Sequence, residues 1–176
     1  HEVFPAPRVT SPATDEPPAF LFFGALRPNK GLDVLLEALE RLRGADVRVI
    51  IAGKGDAKVE SLALRAARHD PRITLELERV PLSRKRELFA AASVVVLPYT
   101  AFASQSGVLH DAYAFERPVV VTDVGALGNA VREDGTGLVA RPDDPMHLAE
   151  QMLAALKPRR WADMSRTAAV IRQERS

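Results

Sequence analysis

Most apolar residues along this chain occur either in short continuous runs or at helical spacing. The run AFLFFG at 19–24 predicts a strand buried on both faces, because its residues do not alternate with polar ones. Leucines spaced three and four residues apart follow within 31–44, as in an amphipathic helix. The pattern then repeats, with further strands predicted at 46–53, 72–78, 93–99, 118–122 and 137–140, and further helices at 57–70, 83–92, 107–116, 126–133, 144–157 and 159–174.

Strands that alternate with helices in this way predict an α/β fold. We expect a doubly wound, mainly parallel, six-stranded Rossmann-like sheet flanked by helices. The strand at 72–78 alternates apolar and polar residues, which places it near an edge of the sheet. Gly44 is expected to end the first helix, and Ser83 to cap the helix at 83–92. Ligands of such sheets bind at the carboxyl ends of the strands, so the residues after each strand are the candidates for chemistry.

The length of 176 residues fits one globular domain with additions at its ends. Residues 1–18 contain five of the 13 prolines and are expected to be a linker. Residues 19–158 form the predicted domain, and residues 159–176 a C-terminal helix and tail.

Composition excludes several classes of protein. The chain has 24 Lys and Arg against 23 Asp and Glu, a net charge of +1, which argues against a nucleic-acid partner. It has no cysteine, and its four histidines show no metal-ligand spacing, so no metal site is expected. No apolar run approaches the roughly 20 residues of a membrane helix, and no signal peptide is visible. We expect a cytoplasmic protein.

The segment after the first strand, GALRPNKG at 24–31, combines glycine with two cations. Gly24 permits a close approach of a ligand, and Arg27 and Lys30 precede a helix N-terminus, which itself attracts anions. A phosphate site is one interpretation, and a solvated basic loop is the other. The glycine-rich dinucleotide and P-loop motifs are both absent. Gly53, after the second strand, could also approach a ligand or simply form a turn.

A small polar segment after the fourth strand, SQSG at 104–107, enters the next helix. Ser104 or Ser106 can cap that helix, and its first free amides would suit an anion. Asp111 lies about four residues into the helix, roughly 6 Å along its axis, where it could meet a sugar hydroxyl or remain a solvated acid. His110 is its neighbour, but adjacent helical side chains diverge, so no dyad is expected.

Four segments in this order resemble the C-terminal half of a glycosyltransferase family 4 enzyme. They are FFGALRPNKGLDVLLEAL, VIIAGKGD, ELFAAASVVVLPY and SQSGVLHDAYAFERPVVVTDVGALGNAV with GTGLVARPDDP, and together they cover about residues 20–157. The resemblance implies one half of a GT-B fold and a retaining transferase that moves a hexose from a nucleotide sugar without a metal or other cofactor. This half would bind the donor. The half that binds a glycan, lipid-linked or small-molecule acceptor would be missing, together with any membrane contact, and this chain alone would be inactive.

The resemblance also assigns roles to individual residues. Lys30 matches the lysine that holds the diphosphate, and Arg27 would replace the family arginine, whose position is occupied by Ala25. Asp111 matches the second of two family glutamates, the one that meets the ribose, whereas the first position holds Ala103. Arg27 and Lys30 are thus the expected catalytic residues, and the expected donor-binding residues are Gly24, Gly53, Arg79, Val80, Gln105, Ser106, Gly107, Val108 and Asp111, with the amides of 106–108 on the diphosphate.

Two alternatives keep the same fold. A non-catalytic nucleotide-binding or partner-docking module would explain Ala25 and Ala103 as records of lost activity. A sugar-nucleotide epimerase of the GT-B class would need an acidic and histidine constellation that the sequence does not display.

In GT-B enzymes the helix that corresponds to 159–174 often crosses to the other domain. Here we expect this helix to be frayed or docked on another copy.

Overall fold

A computed structural model describes residues 16–101 and 106–175 of the chain. Most of the predicted linker at 1–18, and Ala103, Ser104 and Gln105, therefore lie outside the described residues. The strands are β1 (Ala19–Phe23), β2 (Arg48–Ala52), β3 (Ile73–Glu76), β4 (Val94–Leu97), β5 (Val119–Thr122) and β6 (Gly137–Ala140). The helices are α1 (Leu32–Glu40), α2 (Ala57–His69), α3 (Leu82–Ala91), α4 (Gly107–Ala114), α5 (Leu127–Asp134), α6 (Pro145–Ala155) and α7 (Pro158–Glu174), and a 3₁₀ turn spans Pro28–Lys30.

The six strands form one sheet in the order β3-β2-β1-β4-β5-β6, and every neighbouring pair is parallel. The predicted fold class is confirmed, and so is the edge position of the third strand. After β3 the chain returns to the middle of the sheet and places β4 beside β1. The strand order therefore reverses between β1 and β4, and the crevice at their carboxyl ends is the expected ligand site of such a sheet.

Both faces of the sheet are covered by helices, because alternate residues of each strand point to opposite sides. In β1, Phe20 and Phe22 belong to a core that includes residues of α1, α2 and α6. Ala19 and Leu21 belong to a second core, with residues of α3, α4 and α5. The two cores fix the helices in place, and the N-termini of α1 to α6, each of which follows a strand, then lie at the carboxyl edge of the sheet.

The first helix ends earlier than its sequence suggests. It stops at Glu40, and turns lead from there to Gly44, so the prediction that Gly44 ends the helix is wrong. At this end the carbonyl oxygens of Leu39 and Leu42 accept hydrogen bonds from the turn amides of Leu42 and Ala45, and also from the guanidinium of Arg72, at 3.0 Å for Leu39. These bonds satisfy carbonyls that a continuing helix would have used.

The start of α3 also differs from the prediction. Pro81 occupies the cap position with extended backbone, and the helix begins at Leu82. Ser83 therefore lies inside the first turn, and the predicted serine cap is wrong. Pro81 suits this boundary because a cap residue needs no helical N–H, while its carbonyl accepts the hydrogen bond of the Lys85 amide at 2.9 Å.

The C-terminal helix α7 packs against the sheet of its own chain. Trp161 is 2% exposed, and its indole N–H donates to the carbonyl of Ser93, just before β4, at 2.8 Å. The Ser165 hydroxyl donates to the carbonyl of Glu116 at 2.9 Å. The expectation of a frayed helix is therefore wrong for the described part of this chain, whereas docking of α7 on another copy stays a prediction. Arg159 and Arg160 stay exposed beside the buried tryptophan.

Replacing Trp161 by alanine is expected to lower the free energy of unfolding by about 3–5 kcal/mol, as for other buried aromatic truncations. The matched variant Trp161→Phe keeps most of the apolar contact but leaves the Ser93 carbonyl without its donor, and we expect it to cost about 1–2 kcal/mol. Denaturant unfolding of both variants measures this difference. A loss below about 1 kcal/mol for Trp161→Ala would show that α7 is not held as described.

Candidate functional site

Two glycine loops meet at the carboxyl edge of the sheet. Gly24 follows β1 with φ +126°, and Gly53 follows β2 with φ +146°. A Cβ on Gly53 would lie 1.8 Å from the carbonyl oxygen of Gly24, and a Cβ on Gly24 would lie 3.4 Å from Val108 Cγ2. Only glycine fits both the backbone angle and the space at residue 53. These short distances show that the loops after β1 and β2 and the start of α4 are in close contact.

Lys30 is held over the end of β4. It closes the 3₁₀ turn, and its Nζ lies 4.3 Å from the ring centroid of Tyr99, an arrangement suited to a cation–π contact. The turn is fixed to the strand end by a hydrogen bond from the amide of Thr100 to the carbonyl of Asn29, at 3.1 Å. Partial burial lowers the pKa of Lys30, and the nearby cation Arg27 lowers it further.

Tyr99 connects this lysine with the N-terminus of α4. Its side chain is 5% exposed, and its hydroxyl lies 3.2 Å from Oγ of Ser106. Ser106 caps α4, because its Oγ accepts a hydrogen bond from the amide of Leu109 at 3.3 Å. Burial raises the pKa of Tyr99, so the ring keeps its proton and can donate. One side chain thus links a cation to a helix N-terminus, and both attract anions.

Replacing Ser106 by alanine is expected to lower the free energy of unfolding by about 1 kcal/mol, because the amide of Leu109 loses its acceptor. The conservative variant Ser106→Thr retains the oxygen and should stay within about half of that loss. Thermal or denaturant unfolding tests the pair. Equal stability of Ser106→Ala and the wild type would contradict the capping role.

Asp111 lies five residues after Ser106, roughly 7 Å further along the axis of α4. Its carboxylate is paired with Lys85 of α3, whose Nζ lies 2.7 Å from Oδ2. The same Nζ lies 5.6 Å from the ring centroid of Phe23, the last residue of β1. Asp111 therefore faces the crevice between β1 and β4 as half of an ion pair, a partner that sequence reasoning did not assign to it.

Of the other candidate residues, Gly107 and Arg27 lie next to Ser106 and near Lys30, whereas Arg79 and Val80 lie further along the sheet edge. Gly107 is exposed, with no neighbouring heavy atom within 4 Å of the position of a Cβ. Arg27 is exposed and borders a groove formed with the start of α2. Arg79 is exposed after β3, and Val80 packs into the core on the α3 side of the sheet. Because β3 is two strands from β1, these two residues start roughly 10 Å from the β1–β4 crevice.

Sequence reasoning missed Tyr99 and Lys85 as site residues. The apolar pattern includes Tyr99 in the predicted strand at 93–99, although an aromatic residue just past a buried strand end is itself a signal of a ligand site. Lys85 sits in the basic run SRKR, which gives no sign of a specific partner. Its pairing depends on how α3 and α4 pack, which no local pattern encodes.

Within residues 16–101 and 106–175, no group of three His, Cys, Asp or Glu side chains is placed to hold a metal ion. His110 is exposed and is not paired with Asp111, in agreement with the sequence analysis. The described helices include none that is long and apolar enough to cross a membrane.

The reversed strand order, the glycine contacts and the anion-attracting helix end define a Rossmann-like domain with a ligand crevice at its switch point. A family model described as "Glycosyl transferases group 1" matches residues 17–158, which is most of the chain. The chain belongs to this family.

Similar curated proteins include two glycosyltransferases. The chain is 33% identical to a glycogen synthase of Thermus thermophilus over 121 residues, which are 69% of this chain and 27% of that protein. It is 32% identical to a D-inositol 3-phosphate glycosyltransferase of Nocardia farcinica over 155 residues, covering 81% of this chain and 33% of that protein. The chain spans about a quarter to a third of the length of these relatives.

Similar solved structures show the same fold at low sequence identity. The Anabaena protein Alr3699/HepE in complex with UDP superposes with a TM-score of 0.79 at 20% identity, covering 91% of this chain and 45% of that chain. The sucrose-phosphate synthase of Thermosynechococcus elongatus gives 0.77 at 23% identity, covering 91% and 41%. The fold of this chain is one half of a GT-B glycosyltransferase fold.

Proposed function

We propose that this chain is the donor-binding domain of a retaining, family 4 glycosyltransferase, which transfers a hexose from a nucleoside diphosphate sugar. The observation that carries the proposal is the position of Lys30, which reaches Tyr99 while Tyr99 contacts the capping Ser106 of α4. A lysine and a helix N-terminus thereby adjoin one crevice, beside a glycine that permits close approach.

The proposed diphosphate site uses the positive charges at this crevice. Lys30 and the amides of Ser106, Gly107 and Val108 would bind the phosphate oxygens, and Arg27 would reach the same group from its exposed turn. One pair of unit charges 4 Å apart gains about 4 kcal/mol at an effective dielectric of 20. Stabilising the charge on the departing diphosphate would lower the barrier to breaking the glycosidic bond. In this proposal the side chains supply the charge that a metal supplies in other transferases.

The proposed nucleoside site lies beside the diphosphate. Asp111 would accept hydrogen bonds from the ribose hydroxyls, since its carboxylate has acceptor positions beyond the one used by Lys85. Arg79 and Val80 are proposed at the border of the base. Gly24 and Gly53 would allow the donor to approach the backbone, and Gln105, outside the described residues, completes the predicted set.

The comparisons support this proposal in three respects. The family is a glycosyltransferase family. The similar Anabaena structure was solved with UDP, and also with UDP-glucose. The chain aligns with 27% and 33% of the length of two relatives, so the rest of those proteins has room for a separate acceptor domain. We therefore propose that the chain alone binds a donor but transfers no sugar.

A thermal-shift panel with UDP, GDP, ADP and their common sugar conjugates tests the proposal. At ten times its dissociation constant, a ligand stabilises the folded state by about 1.4 kcal/mol. For a domain of this size the melting temperature should rise by roughly 3–6 °C. Inorganic diphosphate is the control, because it reports the anion site without the nucleoside.

The outcomes separate the alternatives. A shift with one nucleotide well above that with inorganic diphosphate would support the donor site and identify the base. No shift with any nucleotide at millimolar concentration would contradict donor binding by this chain and favour a docking module. Transfer of a sugar by the chain alone would contradict its proposed inactivity.

A further inference from the structure

We propose that Lys85 is a positioning residue that orients Asp111 toward the ribose and so makes the site selective for ribonucleotides. This inference rests on the proposed function, because it assigns a role to a residue of the same donor site. The juxtaposition that carries it is the ion pair between Lys85 of α3 and Asp111 of α4, at the mouth of the β1–β4 crevice.

The pair is well sheltered for two charged side chains. The side chain of Lys85 is 27% exposed and that of Asp111 is 25% exposed, with 2.7 Å between Nζ and Oδ2. A lysine that leaves water loses side-chain freedom, so it stays folded inward only where a partner and a surface hold it. Here the partner is the carboxylate and the surface is the ring of Phe23, 5.6 Å from Nζ.

The cation next to Lys85 on α3 binds other carboxylates. Arg84 binds Glu76 at the end of β3, and it also binds Glu87 on its own helix. Two consecutive residues of α3 thus bind different elements: Arg84 binds the edge strand β3, and Lys85 binds α4. Lys85 is therefore the residue of this pair that binds the Asp111 carboxylate beside the proposed nucleotide.

The ion pair limits the orientations of the Asp111 carboxylate. Free aspartate on a helix can adopt several rotamers, and a hydrogen bond to a ribose hydroxyl would have to select one of them. Lys85 makes this selection before a ligand arrives, which reduces the entropy lost on binding. A carboxylate has about four acceptor positions, so contact with one ammonium leaves capacity for the two hydroxyls of a ribose.

The test measures dissociation constants by calorimetry for a ribonucleoside diphosphate and its 2′,3′-dideoxy counterpart. The probe is whichever of UDP, GDP and ADP binds the wild-type chain best. The ratio of the two constants reports recognition of the ribose hydroxyls. It also cancels the general effect of removing a cation near a diphosphate, since that effect acts on both ligands.

We expect the wild type to prefer the ribonucleotide about tenfold and Lys85→Met to reduce this preference to about twofold or less. Lys85→Arg keeps the charge and should recover most of the preference. Asp111→Ala should abolish it, and adding Lys85→Met to Asp111→Ala should change nothing further, because Lys85 acts through Asp111. Lys157→Met is the matched control, because Lys157 is exposed at the start of α7 and should leave the ratio unchanged.

Three results would overturn the inference. An unchanged ratio in folded Lys85→Met would reduce the ion pair to a structural link between α3 and α4. A higher ratio would mean that Lys85 competes with the ribose for Asp111. A wild-type ratio near one would show that Asp111 does not bind the ribose, while the diphosphate site could stand. Failure of the wild type to bind any nucleoside diphosphate would instead overturn the proposed function, and this inference with it.

Discussion

Replacing Lys30 by alanine will weaken the binding of a nucleoside diphosphate by roughly 10- to 100-fold. A hydrogen bond to a charged group contributes about 1.5–3 kcal/mol, and Lys30 stands beside the helix end proposed to hold the diphosphate. The variant should remain folded, because Lys30 lies at the surface of the domain and its contact with Tyr99 adds little stability. Calorimetric titration of the wild type and the variant measures the difference.

The matched control is Lys157→Ala, an exposed lysine at the start of α7. It should bind the nucleotide as the wild type does, and the Lys30→Ala defect should shrink as salt screens the diphosphate. Equal affinity of Lys30→Ala and the wild type would contradict the assignment of Lys30 to the diphosphate.

The affinity should also depend on pH in a defined direction. Because burial and Arg27 lower the pKa of Lys30, this side chain loses its charge at a lower pH than an ordinary lysine. As the pH rises, nucleotide binding should therefore start to weaken before the pH reaches about 10.4, at which a free lysine titrates. Lys30→Arg stays charged in this range and serves as the reference.

Replacing Gly31 by alanine will lower the free energy of unfolding by about 3 kcal/mol or more. Gly31 has φ +73°, and a Cβ there would lie 1.8 Å from the carbonyl oxygen of Pro98. The left-handed backbone costs an alanine roughly 1–2 kcal/mol, and the clash adds about 1–3 kcal/mol. The melting temperature should fall by roughly 6–12 °C. Residual folded protein should bind nucleotide less well, because Gly31 directly follows Lys30.

Gly44→Ala is the control for this prediction. No heavy atom lies within 4 Å of a Cβ at this position, and its φ is not in the left-handed region. We expect a change in the free energy of unfolding below about 1 kcal/mol. Similar losses for the two variants would show that the contact between Gly31 and Pro98 does not decide the packing of this turn.

The local structure was largely predictable, because it follows from the order of apolar and polar residues. Apolar runs identified five of the six strands, alternation of apolar and polar residues identified β3, and leucines at helical spacing identified α1. The ends of elements were less predictable. α1 stops at Glu40, where Arg72, 32 residues further along the chain, binds the carbonyl of Leu39 in its last turn and that of Leu42 just beyond it. A distant side chain leaves no trace in the local pattern.

Part of the candidate site was also predictable. Gly24, Lys30 and Ser106 follow strands or precede helices, and the carboxyl ends of parallel strands share one edge. The structure brings Lys30 and Ser106 together through Tyr99, whose ring and hydroxyl make both contacts. The sequence could place each of the three at a strand end or helix start, but not in contact.

The sequence by itself determined the kind of fold and the residues that surround the strand ends, because burial and helix signals are local. The tertiary structure decided which of these residues meet. Lys85 and Asp111 are 26 positions apart and become an ion pair only because β4 lies beside β1, with α3 and α4 on the same face of the sheet. Strand order depends on the packing of all the elements at once, so the partners of a charged side chain are fixed there and not in its own segment.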